Sequence, residues 1–250
     1  MKLNFETQGV LIPQIGDEVA RVPSERIKNA AIKGGYDQRA TEPLPLITDF
    51  DKLAREHGIL VMDQVIKPDH VKQLRNDLLS KEFPWSLSAG RVHPDDGDYY
   101  FVHVAKNCIN LHDAGEKDYQ IQKENQTFAY EYVYNLVLPL AIHQVARMQF
   151  NLNMPSDKAV PDEWHTDFNY EFAKDNQLTA VFFLTDSDGP LNFFNIGAVE
   201  CKANRVAVFP TGTVHAGSSH TTKGPRISIN LNYYPYSYLP VFERTKKNDK

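Results

Sequence analysis

Two seven-residue stretches constrain this chain more than any other feature: Arg147-Met148-Gln149-Phe150-Asn151-Leu152-Asn153 and Arg226-Ile227-Ser228-Ile229-Asn230-Leu231-Asn232. In both, polar and apolar residues alternate without exception. A period of two is the signature of a β-strand, whose successive side chains point to opposite faces. Each strand therefore has one polar and one apolar face. The simplest arrangement buries the apolar face and leaves the polar one in water. The alternative is a barrel whose polar faces turn inward on a ligand while helices cover the apolar outside.

The flanking sequence agrees with an all-β core. From about Val145, short β-prone runs follow one another: Ala146–Met154, Trp164–Phe168, Leu178–Thr185, Leu191–Phe194, Arg205–Phe209 and Arg226–Tyr234. Ser187-Asp188-Gly189 and Thr211-Gly212-Thr213 have turn chemistry, and strands at this spacing predict a sandwich or barrel. Upstream, Ile59–Ile66 reads as a strand. Pro68 opens a helix whose Val71, Leu74, Leu78 and Leu79 form an apolar stripe. Residues 83–98 are turn-rich, a further strand starts near Tyr99, and Thr127–Leu138 is apolar nearly all round, as in a buried helix ending at Pro139. Residues 1–50 are broken by Pro13, Pro23, Pro43 and Pro45 and read as an extension wrapping the domain, with a short helix near Ser24–Ile32. The expected division is therefore an extension over 1–50, one domain over 51–240 and a charged, frayed tail over 241–250.

Composition narrows the chemistry. A net charge of −5 argues against nucleic acid as a partner, because neutralising phosphates needs a basic face. No apolar run approaches the ~18–20 residues of a membrane helix, and the N-terminus lacks a secretory pattern, so the expected setting is cytoplasmic. Two cysteines, Cys108 and Cys201, cannot build a thiolate metal cluster. A metal would need histidine and carboxylate, and the chain has nine histidines.

His165-Thr166-Asp167 places an imidazole and a carboxylate on one face of an expected strand, and His215 follows a later strand and turn. Two histidines and one carboxylate with open coordination positions form the facial triad of non-haem iron sites. Arg226 follows His215 by eleven residues and heads the second alternating strand. An inward arginine there is costly unless it meets a carboxylate, which its planar fork binds in bidentate fashion.

In these residues the chain resembles the Fe(II)/2-oxoglutarate-dependent oxygenases, whose pattern is HxD, a distant His, Arg about ten residues on and Ser two beyond. Here these are His165, Asp167, His215, Arg226 and Ser228. The stretches LTAVFFLTDSDGPLNFF, NRVAVFPTGTVHAG and RISINLNYY are similar to the prolyl-hydroxylase-like branch found in bacteria and phages. ILVMDQVIKPDHVKQL is similar to its opening strand and helix. The resemblance implies a mainly β fold with flanking helices, a double-stranded β-helix or jelly roll. It also implies Fe(II) on His165, Asp167 and His215, with 2-oxoglutarate as co-substrate and O2 as oxidant. Arg226 and Ser228 would hold the far carboxylate of 2-oxoglutarate, and Asn151 is the candidate for a further hydrogen bond. The implied reaction hydroxylates an aliphatic C–H of a small molecule, amino acid or peptide side chain, releasing succinate and CO2. The carboxylate of Asp167 favours hydroxylation over halogenation, since related halogenases carry a small residue there; desaturation or ring closure would use the same triad.

Other residues have plainer or weaker roles. Trp85, Arg91, Tyr100, His103, Asn169 and Tyr170 lie where such folds make substrate contacts. His220 sits six residues before Arg226 in SSHTTKGP and reads as part of a solvated loop, as does Lys223. Arg205 reads as a structural ion pair and Trp164 as core. Two other functions remain open on sequence: a cupin-like jelly-roll metal enzyme without 2-oxoglutarate, and a non-catalytic jelly-roll binding module.

Overall fold

The computed structural model describes residues 44–88, 99–107, 125–167 and 177–236. Its first elements are helix α1 (Phe50–His57), strand β1 (Leu60–Asp63), helix α2 (Pro68–Leu78) and strands β2 (Ser86–Ser88), β3 (Tyr100–Asn107) and β4 (Asn125–Gln126). A 3₁₀ turn (Phe128–Val133) runs into the short α3 (Tyr134–Val137), followed by β5 (Ile142–Asn153), β6 (Leu178–Phe183) and β7 (Ser187–Phe193). The last strands are β8 (Gly197–Cys201), β9 (Arg205–Pro210), β10 (His215–Ala216) and β11 (Arg226–Pro235).

The two alternating stretches become β5 and β11, antiparallel neighbours inside a larger sheet of order β1-β9-β6-β11-β5-β3-β2, with β4 on β3. Their register sets Arg226 opposite Asn153, Ser228 opposite Asn151, Asn230 opposite Gln149 and Asn232 opposite Arg147. Every polar position thus falls on one face. A slip of one residue would turn that face into the core, so the alternation itself fixes the register. The smaller sheet, β10-β7-β8, lies across from it. Single bridges extend it: His165 joins His215 on one edge, and Leu46 joins Ala198 on the other. This is the jelly-roll arrangement of two antiparallel sheets.

The apolar outside of the large sheet is covered by helices. Met148, Phe150, Ile227, Ile229 and Leu231 share one cluster with Leu74 and Leu78 of α2, Val133 and Leu136. Between the sheets the interior is divided. One part is a dry plug of Val61, Val181, Phe183, Leu191, Phe193, Val199, Ala207 and Phe209, capped by Leu53 of α1. The other part is bounded by the polar faces of β5 and β11.

Several expectations change. Thr127–Leu138 is not one buried helix but a 3₁₀ turn and a four-residue helix, with Phe128, Tyr134 and Leu138 exposed. Aromatic and β-branched side chains lose rotamer freedom in a helix, which weakens a long one here. Ser187–Gly189 is not a turn but the start of β7, with a bulge before Leu191. Its Asp188 is satisfied from outside, accepting from the backbone N–H groups of Thr221 at 2.8 Å and Thr222 at 3.1 Å. Trp164–Phe168 contributes only the bridge at His165, Phe168 lying outside the described residues. The turn before β8 has Asn195 and Gly197 at positive φ, 57° and 143°; a Cβ on Gly197 would sit 2.8 Å from Ile47. Among the described residues no helix is long and apolar enough to cross a membrane.

Candidate active site

His165 and His215 are tied to each other through the backbone: His165 N–H donates to His215 O at 3.0 Å and His215 N–H to His165 O at 2.9 Å. The two rings then lie with centroids 4.6 Å apart. Each Nδ1–H is taken by a nearby carbonyl, that of Glu163 at 3.0 Å and of Thr213 at 2.9 Å. A carbonyl only accepts, so Nδ1 carries the proton and Nε2 of each ring is left with a lone pair. His215 Nε2 is 3.8 Å from Asp167 Oδ1. The other carboxylate oxygen, Oδ2, accepts from Thr179 Oγ1 and Asn232 Nδ2, both at 2.8 Å. The carboxylate is therefore fixed by one oxygen and presents the other.

The electrostatics match this geometry. Burial pushes the His215 imidazole down to about 4, aided by the neighbouring His165, so the ring is neutral at neutral pH. Burial pushes the Asp167 carboxyl up, but its coulombic interactions with His215, His165 and Arg147 and the Asn232 hydrogen bond outweigh burial and leave it below its ordinary range. A neutral imidazole and an ionised carboxylate are the forms in which histidine and aspartate bind a divalent cation. His165, Asp167 and His215 bring their donor atoms within 4.8 Å of one another and can hold a metal ion.

The three line a cavity of about 360 Å³ between the sheets. Its floor is the polar face of β5 and β11: Arg147, Gln149, Asn151, Asn153, Arg226, Ser228 and Asn230. Val181, Phe183 and Leu191 form an apolar wall. Arg226 is buried, and its Nη1 donates to the Gly189 carbonyl at 3.0 Å.

Of the residues singled out from sequence, His165, Asp167, His215, Arg226, Ser228, Asn151 and Tyr100 all line this cavity. Trp85 and His103 do not. Register puts His103 beside Phe150 on the apolar face of the sheet, where its ring nitrogens contact Pro84 O at 3.0 Å and Thr127 Oγ1 at 2.8 Å. Trp85 donates from Nε1 to Leu78 O at 2.8 Å and packs at a tilt against Phe83. Both are structural, and the substrate role expected for them is withdrawn. Arg91, Asn169 and Tyr170 lie outside the described residues. His220 is not solvated: it is buried and its Nε2–H donates to Asn153 O at 3.1 Å. Arg205 forms the expected ion pair, with Asp63 at 2.6 Å, and Trp164 packs with Val214 and Ala216.

Residues 153–234 match the model of the family described as the 2OG-Fe(II) oxygenase superfamily. Its members' cofactors, Fe(II) and 2-oxoglutarate, suit the donor set described above. An oxidoreductase of the 2OG-Fe(II) oxygenase family from Burkholderia pseudomallei has a similar fold, at TM-score 0.52 and 15% identity over 78% of this chain and 95% of that one. The non-heme alpha ketoglutarate dependent carbocyclase SnoK from nogalamycin biosynthesis aligns at TM-score 0.50 and 16% identity, covering 78% and 87%. The epimerase SnoN, in complex with Fe3+, alpha ketoglutarate and nogalamycin RO, aligns at TM-score 0.50 and 14% identity, covering 80% and 90%. At such identities these likenesses establish the double-stranded β-helix fold. None of the curated proteins matches the chain in sequence.

Four residues in or behind the cavity were given no role from sequence. Asn232 and Thr179 fix Asp167, Gly189 backs Arg226, and Arg147 adds a second guanidinium. Asn232 and Arg147 carried a signal, since both sit on the polar side of an alternating strand. Thr179 and Gly189 carried none, because their importance comes from contacts across the fold.

Proposed function

We propose that the chain is an Fe(II)- and 2-oxoglutarate-dependent hydroxylase acting on an aliphatic C–H bond of a small molecule, an amino acid or a peptide side chain. One observation carries this reading: the two-histidine, one-carboxylate donor set and the buried Arg226 line the same cavity. His165 and His215 would bind iron through Nε2 and Asp167 through Oδ1, a ligand set that leaves open positions. Arg226 would supply its fork to the far carboxylate of 2-oxoglutarate, with the Ser228 hydroxyl beside it. Asn151, the cross-strand partner of Ser228, faces the same space.

When bound, iron and 2-oxoglutarate with O2 supply the oxidising power to break an unactivated C–H, succinate and CO2 being released. The chain contributes geometry and a controlled environment. Thr179 and Asn232 hold the Asp167 carboxylate in one orientation, and the carbonyls of Glu163 and Thr213 hold the two imidazole tautomers. Val181, Phe183 and Leu191 exclude water from one wall. The carboxylate at Asp167 supports hydroxylation over halogenation. The outcomes named for the carbocyclase and the epimerase are not carried over, because those proteins share only the fold with this chain.

The test is an anaerobic titration with Fe(II) and 2-oxoglutarate, followed by the metal-to-ligand charge-transfer band. The band should develop in wild-type protein and require far more 2-oxoglutarate in Arg226→Ala. Folded, iron-loaded protein without a band refutes the proposal.

A further inference from the structure

The cavity contains a second guanidinium that this reading leaves unused. Arg147 lines it at the end nearest Asp167, half-buried, on the same polar face as Gln149 and Asn151. Its Nη2 donates to the Gln149 carboxamide oxygen, and Gln149 Nε2 donates to Asn151 Oδ1 at 2.6 Å. Both partners are neutral. Among the described residues no carboxylate stands within ion-pair distance of Arg147: the ion pairs of the fold are made by other cations. Asp167 is near enough for its charge to be influenced by Arg147, but its Oδ2 is engaged by Thr179 and Asn232 and its Oδ1 faces His215.

The register separates the two arginines. Arg226 lies opposite Asn153 and Arg147 opposite Asn232, at the two ends of the polar face. Their places on the strands differ by six residues, roughly 20 Å at ~3.4 Å per residue. Under the proposed function, the two charged ends of 2-oxoglutarate are taken by the metal and by Arg226. The Arg147 fork is then left for a different anion, next to the metal, where the bond to be oxidised must lie. A guanidinium held half out of water by one carboxamide keeps donors in the planar pattern that matches a carboxylate.

We infer that Arg147 docks a carboxylate carried by the substrate, so that the molecule oxidised is a small carboxylic acid, such as a free amino acid, rather than an internal segment of a polypeptide. The inference rests on the hydroxylase reading and narrows its substrate class. Gln149 is the positioning residue: its carboxamide orients the Arg147 fork and is itself oriented by Asn151.

The test uses full-length protein loaded with Mn(II) and 2-oxoglutarate under argon, which binds without turnover. The probes are the free amino acids and their primary amides in matched pairs, with binding read by ligand-observed NMR. At least one acid should bind, and its amide should bind tenfold or more weakly. In Arg147→Gln the acid should lose tenfold or more in affinity, and Arg147→Lys should restore part of it, while 2-oxoglutarate affinity stays within twofold of wild type in both. Equal binding of acid and amide overturns the inference, as does the absence of binding by any free acid. Arg147→Gln weakening 2-oxoglutarate as much as the acid also overturns it, assigning Arg147 to the co-substrate. The iron charge-transfer band of wild-type protein is measured separately, so failure of the hydroxylase reading is distinguished from failure of this one.

Discussion

Arg226 lies against Gly189 so closely that a Cβ on that glycine would stand 2.6 Å from the Arg226 Nη1 and 2.4 Å from the Ser219 carbonyl oxygen. The carbonyl of the same glycine accepts from that nitrogen at 3.0 Å. Residue 189 therefore sets the guanidinium position by having no side chain. Gly189→Ala should lower 2-oxoglutarate affinity by about tenfold or more, because a misplaced bidentate partner loses most of its strength. Metal affinity should change little. Titrating the charge-transfer band of the variant checks this, and unaltered 2-oxoglutarate affinity contradicts it.

Asp167 offers one oxygen toward His215 because the other is engaged by Thr179 and Asn232. Removing such supports typically costs about 10–100-fold in metal affinity. Asn232→Ala and Thr179→Val should each fall in that range for Fe(II), with the far-ultraviolet circular dichroism of the folded protein retained. Competition against a chelator gives the numbers; a wild-type affinity in either variant rules out the positioning role.

Arg205 is 6% exposed and forks onto Asp63 at 2.6 and 2.9 Å, joining β9 to the end of β1. Replacing Asp63 by Ala leaves the guanidinium buried without its main partner. Full burial of both charges would put the cost at about 3–5 kcal/mol. Asp63 is 39% exposed, so water screens the pair and the expected loss is about 1–2 kcal/mol. Urea unfolding of Asp63→Ala should show it as a lower midpoint at unchanged slope, with Fe(II) affinity retained.

Cys201 is buried and its thiol donates to the Thr185 carbonyl at 3.4 Å. Burial pushes the thiol up to about 12 from 9.0. At pH 8 the thiolate fraction is then about 1000-fold below that of the unfolded chain, and the thiolate is the reactive form. Native protein should leave the Cys201 peptide unalkylated by iodoacetamide, with rapid labelling in urea, as read by mass spectrometry. The sign for stability follows: the unfolded thiol loses its proton first, so this residue's contribution declines as pH rises above about 9. Rapid labelling of folded protein at pH 8 contradicts the prediction.

The parts of the fold legible in the sequence are those written in a single strand. Alternation in β5 and β11 gave the strand type and the division into a polar and an apolar face, and the spacing of His165, Asp167, His215 and Arg226 turned the polar face inward and named a set that lines one cavity. What depended on register was less legible. His103 looked like a site residue until its pairing with Phe150 put it on the apolar side. His220 looked solvated until the loop containing it was tied down by Asp188. Gly189 looked like a turn residue, whereas its smallness serves the approach of Arg226. In each case a partner distant in sequence decided the outcome, and local chemistry carries no record of that partner.

The divided interior of the jelly roll has an evolutionary consequence. The apolar plug around Phe193 and Phe209 and the helix-covered outer face hold the sheets together without help from the side chains at 147, 149 and 151. The strand that carries those three positions is anchored on its other side, through Met148, Phe150 and Leu152. Descendants of such a chain could acquire new substrates by a few replacements on one side of one strand, with the scaffold inherited intact.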